Sequence, residues 1–154
     1  MRSFTSPAEL LDAIGEPFGP GRWHPVDQER VDLFADATDD HQWIHVDPAR
    51  AAQGPFGATV AHGYLTLSLL PALVTELYRV DGVRMGVNYG LNRVRFPAPL
   101  RVGTRIRATA RIAGVESVTG GLQVVTSVTV ESEGGAKPVC VAETVSRLYF
   151  EEGK

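Results

Sequence analysis

Two side chains that can exchange protons lie five residues apart in the polar segment of residues 36–48. Asp40 supplies a carboxylate and His45 supplies an imidazole, and both are groups used for general acid–base catalysis. Further along, Gly63 precedes a long apolar run and is predicted to lie where a helix begins. The first N–H groups of a helix lack an intrahelical partner, and glycine lets a ligand oxygen approach them. The three residues therefore provide the groups needed for proton transfer next to a stabilised oxyanion.

Each of these residues also has a structural interpretation. Asp40 suits a turn or a helix cap, His45 can bond to a backbone group, and Gly63 permits close packing of a helix against a sheet. A metal site is a further interpretation, because His41, His45, Asp40 and Asp47 all carry ligand atoms. No fourth histidine or cysteine is placed to complete a zinc site, so we expect no metal.

Other residues are weaker candidates for a functional role. The polar side chains proposed to contact a substrate are His62, Tyr64, Ser68, Asn88 and Asn92. Alternate arginines in the second half of the chain have the charge to meet phosphates, although a solvated sheet face is the better interpretation. Cys140 falls in an apolar strand pattern and is predicted to belong to the core.

The elements that position the site segment are predicted to be short helices. Ser6–Glu9 is a capping box, which predicts a helix from Pro7 to Ile14. Asp27 is a good N-cap for a second helix, which ends near residues 38–40. Pro48–Ala52 is predicted to form one more helical turn. The proposed acid–base pair therefore lies in a connection between helices.

The longest helical pattern covers Ala61–Arg79. Leucine and valine occur around nearly the whole circumference, which is typical of a helix buried on most sides. Pro71 removes one backbone donor and is expected to bend this helix.

The apolar pattern changes to period two after Val83. Residues 100–112 alternate almost without error, with apolar side chains on one face and mainly arginines on the other. Further long strands are predicted at Met85–Phe96, Leu122–Glu131 and Val139–Phe150, joined by hairpin connections at 114–121 and 132–137. Long antiparallel strands after one buried helix predict an α+β fold, with the sheet wrapped on that helix.

The composition of the whole chain predicts one globular domain covering residues 1–154. Apolar residues make up 44% and charged residues 21%, which is ordinary for such a protein. The net charge of −3 gives no electrostatic reason to expect nucleic acid or an anionic membrane as a partner. The single cysteine fits a reducing compartment, and neither a signal peptide nor a membrane span is recognised. We therefore expect a cytoplasmic location.

Taken together, these features resemble the MaoC-like dehydratases, also called the (R)-specific enoyl-CoA hydratases. Phe34 matches the aromatic position of the family signature, Asp40 the aspartate, Ile44 the aliphatic residue and His45 the histidine. The segments Val60–Gly63 and Arg95–Thr104 match as well, so the likeness spans residues 23–148. The chain is especially similar to the single-domain mycobacterial and actinobacterial (3R)-hydroxyacyl-thioester dehydratases, which share Asp-His-Gln-Trp-Ile-His.

Two positions depart from the family signature. Gln42-Trp43 replaces the usual Asn-Pro, which predicts a different loop shape. Asp39 stands where glycine is usual, and aspartate is among the less costly substitutes if that position needs a positive φ. Its charge is expected to disfavour ionisation of Asp40 and to favour the charged form of His45.

The resemblance implies a hot-dog fold, in which a long helix is wrapped by an antiparallel sheet. It also implies a homodimer, an acyl thioester carried on coenzyme A or acyl carrier protein, and an acyl tunnel beside the helix. The implied reaction is reversible hydration of a trans-2-enoyl thioester to the (3R)-3-hydroxyacyl thioester in fatty-acid metabolism. Asp40 and His45 would move the protons and the Gly63 N–H would bind the thioester oxygen. No redox cofactor or metal is implied.

Two other functions fit the same fold. One is a thioesterase, in which a carboxylate drives water onto C1 rather than C3. The other is a non-catalytic acyl-thioester-binding subunit of a heterodimeric dehydratase, against which the presence of both Asp40 and His45 argues.

Overall fold

The computed structural model describes residues 1–150, which contain eight strands and six short helices. In chain order they are β1 (Arg2–Phe4), α1 (Pro7–Asp12), β2 (Pro17–Phe18), β3 (His24–Val26), α2 (Gln28–Thr38), α3 (Trp43–Val46), α4 (Pro48–Ala51), α5 (Gly63–Ser68), α6 (Leu70–Thr75), β4 (Tyr78–Val80), β5 (Val83–Arg95), β6 (Thr104–Val118), β7 (Gly121–Ser132) and β8 (Cys140–Phe150).

The main sheet is antiparallel and has the order β2-β6-β7-β8-β5, with β3 also pairing with β6. The four long strands predicted from the period-two pattern are confirmed. The predicted hairpin at residues 114–121 is wrong at its start, because β6 continues to Val118. A register shift between Ile112 and Gly114 absorbs an extra residue there, so the break in alternation marks a bulge rather than a turn.

The predicted helix over Ala61–Arg79 forms two short helices instead of one. α5 ends at Ser68 and α6 begins at Leu70, with Pro71 in the first turn of α6. Proline has no N–H to continue the ladder of α5, and the two helices are separated by Leu69 alone, whose backbone stays in the right-handed helical region. Tyr78–Val80 forms β4, which pairs in parallel with β1. That partner lies more than seventy residues away in sequence, which is why the local helical pattern does not reveal it.

The core lies between α5, α6 and the apolar face of the sheet. Leu65, Leu70, Leu73 and Leu77 are buried against alternate residues of the long strands, including Ile106, Ala108, Ile112, Val128 and Val130. Cys140 is also buried, and burial raises the pKa of its thiol to about 11. Its predicted place in the core is confirmed. No helix within residues 1–150 is long and apolar enough to cross a membrane.

The opposite face of β6 carries the arginines. Arg105 pairs with Glu133 and Arg107 with Glu131, and both guanidinium groups lie over the Trp23 ring. Cross-strand ion pairs on an exposed surface are typical of a solvated sheet face, which is the interpretation favoured from the sequence.

Candidate active site

The end of α2 places Asp40. Asp27 caps the start of this helix, with its carboxylate accepting from the Arg30 N–H at 2.9 Å. At the other end Asp39 adopts the left-handed conformation, with φ of 57°, and the Asp40 N–H donates to the Ala35 carbonyl at 3.2 Å. The position does adopt a positive φ, the condition under which aspartate is among the less costly substitutes for glycine. This turn fixes the backbone of Asp40 and leaves its side chain half exposed.

The conformation of Asp39 predicts how substitutions there change stability. Asp39→Gly is expected to leave the free energy of unfolding nearly unchanged, because glycine adopts positive φ without a steric penalty. Asp39→Val is expected to lower it by about 1–2 kcal/mol, since a β-branched residue is strained in this region. Urea unfolding of both variants measures the difference. Equal stabilities would show that this turn does not hold the left-handed conformation in solution.

His45 is held by backbone and side-chain contacts from three segments. It lies in the single turn α3, its imidazole is only 8% exposed, and its Nδ1 donates to the Val60 carbonyl at 2.5 Å. A carbonyl can only accept, so Nδ1 carries the hydrogen and Nε2 presents a lone pair when the ring is neutral. The backbone of His45 is held as well. The Gln28 side chain donates to the His45 carbonyl at 2.7 Å and accepts from the Thr59 hydroxyl at 2.6 Å.

The departure from the family signature at Gln42-Trp43 is accommodated locally. Gln42 is the N-cap residue of α3, and its carbonyl accepts from the His45 N–H at 2.9 Å. The Trp43 ring packs so close to Gly54 that a Cβ there would come within 2.9 Å of it, and Arg50 lies over the ring. The loop therefore keeps His45 in a helical turn without the usual proline.

Burial governs the protonation of His45. The pKa of its imidazole is lowered from the ordinary 6.5, and the largest cause is desolvation. The Val60 hydrogen bond and the Asp40 charge oppose this shift, whereas the neighbouring His62 adds to it. The negative charge that favours the charged form of His45 comes from Asp40, and desolvation outweighs it. His45 is thus prepared to accept a proton at neutral pH. The effect expected of the Asp39 charge stays a prediction.

His62 is the third member of the cluster, although the sequence suggested only a substrate contact. It is 2% exposed, and its ring stacks on the His45 ring with the two centroids 3.8 Å apart. Its Nε2 lies 3.0 Å from the Asp40 carbonyl oxygen and 3.9 Å from the Asp40 Oδ2. Ligand-type atoms of Asp40, His45 and His62 all lie within 4.8 Å of one another. The proposed acid–base pair is therefore brought together.

This cluster is not the metal set suggested by the sequence. His41 pairs with Asp36 at 2.7 Å and Asp47 caps α4, accepting from the Arg50 N–H. The two histidines that do meet are stacked with only 25° between their rings. Lone pairs lie in the ring planes, so nearly parallel rings do not converge on one ion at ordinary Zn–N distances. The expectation of no metal remains a prediction.

Gly63 is the first residue of α5 and directly follows His62 in the chain. A Cβ at this position would come within 2.8 Å of the Phe96 ring, so close packing explains the glycine, as its structural interpretation held. Its N–H has no acceptor among residues 1–150 and remains available to a ligand oxygen. Packing and oxyanion binding are therefore compatible at this residue.

A cavity of about 820 Å³ lies beside α5 and α6, and residues of β5, β7 and β8 also line it. Ser68 and Asn88 line it, as suggested from the sequence. Tyr64 is instead 71% exposed, and Asn92 donates to Glu143 at 2.7 Å. Asp40, His45 and Gly63 do not line the cavity, but Gly63 and the lining residue Leu67 are four apart in α5 and so share one helix face.

An antiparallel sheet folded around a central helix, with an acid–base pair beside the start of that helix, defines a hot-dog protein equipped for proton transfer. The chain belongs to the MaoC-like family, whose MaoC like domain matches residues 9–134. The 3-hydroxyacyl-thioester dehydratase Z of Mycobacterium tuberculosis is 58% identical over 148 residues, covering 96% of this chain and 98% of that protein.

More distant proteins are also similar to this chain. Nodulation protein N of Rhizobium leguminosarum is 43% identical over 147 residues, covering 94% of this chain and 91% of that protein. The (R)-hydratase from A. caviae involved in PHA biosynthesis superposes with a TM-score of 0.69 at 22% identity, covering 88% of this chain and 96% of that one. At that identity the structural likeness supports the fold alone.

Proposed function

We propose that this protein is a hydro-lyase that hydrates trans-2-enoyl thioesters reversibly to (3R)-3-hydroxyacyl thioesters in fatty-acid metabolism. The observation that carries the proposal is the convergence of Asp40 and a buried His45, with ligand-type atoms within 4.8 Å, beside the free N–H of Gly63. The name of the 58% identical mycobacterial relative, a 3-hydroxyacyl-thioester dehydratase, supports the same reaction.

In the proposed mechanism, Asp40 and His45 hold a water molecule near C3 of the substrate. The Nε2 lone pair of His45 faces no backbone donor in residues 1–150, and Nδ1 is already donating to Val60, so Nε2 is the basic atom. As the water oxygen bonds to C3, a proton leaves the water and the thioester becomes an enolate. One of the two side chains then returns a proton to C2, which completes the addition of water.

The Gly63 N–H would bind the thioester oxygen as negative charge develops on it. One such donor contributes about 2.7–4 kcal/mol of transition-state stabilisation in a well-studied hydrolase. From there the acyl chain would run along α5 toward the cavity of about 820 Å³. That volume lies within the range of ordinary ligand pockets. The thioester itself acidifies C2, so we propose no metal or redox cofactor.

The decisive experiment incubates the purified chain with crotonyl-CoA and follows the loss of enoyl absorbance. The expected product is (3R)-3-hydroxybutyryl-CoA, identified by coupling to dehydrogenases specific for each enantiomer. Release of free thiol, detected with DTNB, without loss of the enoyl group would instead identify a thioesterase. A predominantly 3S product would exclude the proposed binding pose.

The lowered pKa of His45 predicts the acid side of the pH profile. Because the neutral ring is the form that accepts a proton, kcat/KM is expected to fall as pH drops through the His45 pKa. Desolvation lowers this pKa, so the midpoint of the fall is expected below pH 6.5. Initial rates with crotonyl-CoA between pH 4.5 and 9 measure it. A midpoint above 6.5 would mean that desolvation does not control the His45 pKa, and a loss of activity as pH rises through that pKa would mean that His45 works in its charged form.

A homodimer is the proposed assembly, with coenzyme A or acyl carrier protein carrying the acyl group in the cytoplasm. β5 is an edge strand with β8 as its one partner in residues 1–150, and it exposes Met85, Val87, Tyr89 and Leu91. An exposed apolar edge is a surface that another chain covers. Light scattering of the purified chain should give about twice the 16.6 kDa chain mass. An inactive monomer would favour a heterodimeric partner.

A further inference from the structure

His62 is buried against both proposed catalytic side chains, yet the mechanism above gives it no proton to carry. Its ring lies between the Phe34 ring on one side, with centroids 5.0 Å apart, and the His45 ring on the other. It is 2% exposed, so little of its surface is available to a substrate. What it touches is the catalytic pair itself.

The hydrogen bonds of His62 assign its tautomer. Nε2 lies 3.0 Å from the Asp40 carbonyl oxygen, and this oxygen can only accept, so Nε2 carries the hydrogen. Nδ1 is buried and has no partner within residues 1–150. A neutral ring that donates from Nε2 therefore satisfies the Asp40 backbone and leaves Nδ1 as a bare lone pair.

We propose that His62 is a positioning residue that sets the separation of Asp40 and His45, an inference that rests on the proposed hydration site. The N–H of its ring fixes the turn that carries Asp40, and the face of its ring fixes the orientation of the His45 imidazole. Because His62 also precedes Gly63, the same residue ties the acid–base pair to the proposed oxyanion donor.

The requirement for both functions explains why the position is histidine. Phenylalanine keeps an aromatic face for His45 but cannot donate to the Asp40 carbonyl. Asparagine offers a donor but no ring to stack on His45. We therefore expect His62→Phe and His62→Asn each to lose activity, for separate reasons.

The kinetic test compares these two variants with the wild type on crotonyl-CoA. Each is expected to lower kcat by up to about 10²-fold with little change in KM, because a displacement of about 1 Å in reacting groups has that effect. Val128→Ala is the matched control, since it removes buried core volume in β7 without touching the site. If kcat falls as much in this control as in the His62 variants, His62 contributes no more than ordinary core packing, and the inference is overturned.

A second readout does not depend on the reaction. The chain has four histidines, so their ring resonances can be assigned and titrated by NMR. The groups that face His45 are Asp40 and His62. In His62→Asn the His45 pKa should rise toward its ordinary value, because the smaller side chain leaves the His45 ring less buried. An unchanged His45 titration would contradict a positioning role. If both variants fail to fold, the wild-type protein still decides the question, because long-range ¹H–¹⁵N spectra identify the His62 tautomer.

The expected wild-type spectrum has hydrogen on Nε2 and none on Nδ1 of His62 at neutral pH. Hydrogen on Nδ1 alone would mean that no bond to Asp40 exists, and the inference would fail. The wild-type chain could prove inactive and still show the expected tautomer and a His45 titration that responds to His62→Asn. That result would refute the hydration function and leave the positioning contact in place. If the enzyme is active and substitution of His62 changes neither kcat nor the His45 titration, only the inference about His62 is refuted.

Discussion

Replacing Asp40 with asparagine is expected to lower kcat for crotonyl-CoA hydration by about 10²–10⁴-fold, the usual contribution of a general acid–base group. Asparagine has nearly the same shape, but its amide neither accepts nor returns a proton at neutral pH. The Asp40 carboxylate makes no hydrogen bond within residues 1–150, and its side chain is 52% exposed, so the fold should be unaffected. Steady-state kinetics and thermal unfolding of the variant measure both effects.

The adjacent residue provides the control. Asp39→Asn removes a carboxylate one position away and keeps a side chain that tolerates the observed φ of 57°. This variant is expected to retain kcat near that of the wild type, which separates loss of the acid–base group from loss of negative charge. If Asp40→Asn keeps more than about a tenth of the wild-type kcat, Asp40 does not transfer the proton in the step that limits turnover.

The sequence predicts the fold well where its pattern is local and regular. Period-two alternation located β5, β6, β7 and β8, and the pairing of β6 with β7 and of β7 with β8 follows from their short connections. The pairing of β5 with β8 has no such local signal. The sequence-based prediction failed between Ala61 and Arg79, where the apolar pattern continues without interruption through the end of α5 and into β4. Pro71 signals the break, but β4 exists because β1 supplies its hydrogen-bond partners, and that contact is set by the tertiary fold.

For the site, residue type and spacing pointed to Asp40, His45 and Gly63 as candidates, and aspartate at position 39, where the family usually has glycine, is compatible with the left-handed turn found there. The residues that hold them were missed, because each acts across a long sequence separation. Gln28 reaches the His45 carbonyl from α2, and the Val60 carbonyl accepts from the His45 ring. The one available signal for His62 was its position directly before Gly63, which does not distinguish a substrate contact from an internal stack.

His45→Gln is expected to reduce kcat by about 10²–10⁴-fold, as large an effect as the change at Asp40. The glutamine amide has an N–H that can still donate to the Val60 carbonyl, so the structural bond of the imidazole can be retained. What is lost is the Nε2 lone pair, because an amide nitrogen does not accept a proton from water. The variant should therefore fold as the wild type does, which circular dichroism and thermal unfolding verify, and bind substrate with little change in KM.

His41→Gln is the matched control for this change. His41 lies in the same segment, but its side chain is half exposed and pairs with Asp36, so its loss should leave kcat nearly unchanged. The pH profile separates the two histidines further. Since the fall in kcat/KM at acid pH is assigned to protonation of His45, the residual activity of His45→Gln should lose that fall, whereas His41→Gln should keep it. A residual His45→Gln rate with the wild-type acid limb would show that another group titrates there, and His45 would then be a structural rather than a proton-transferring residue.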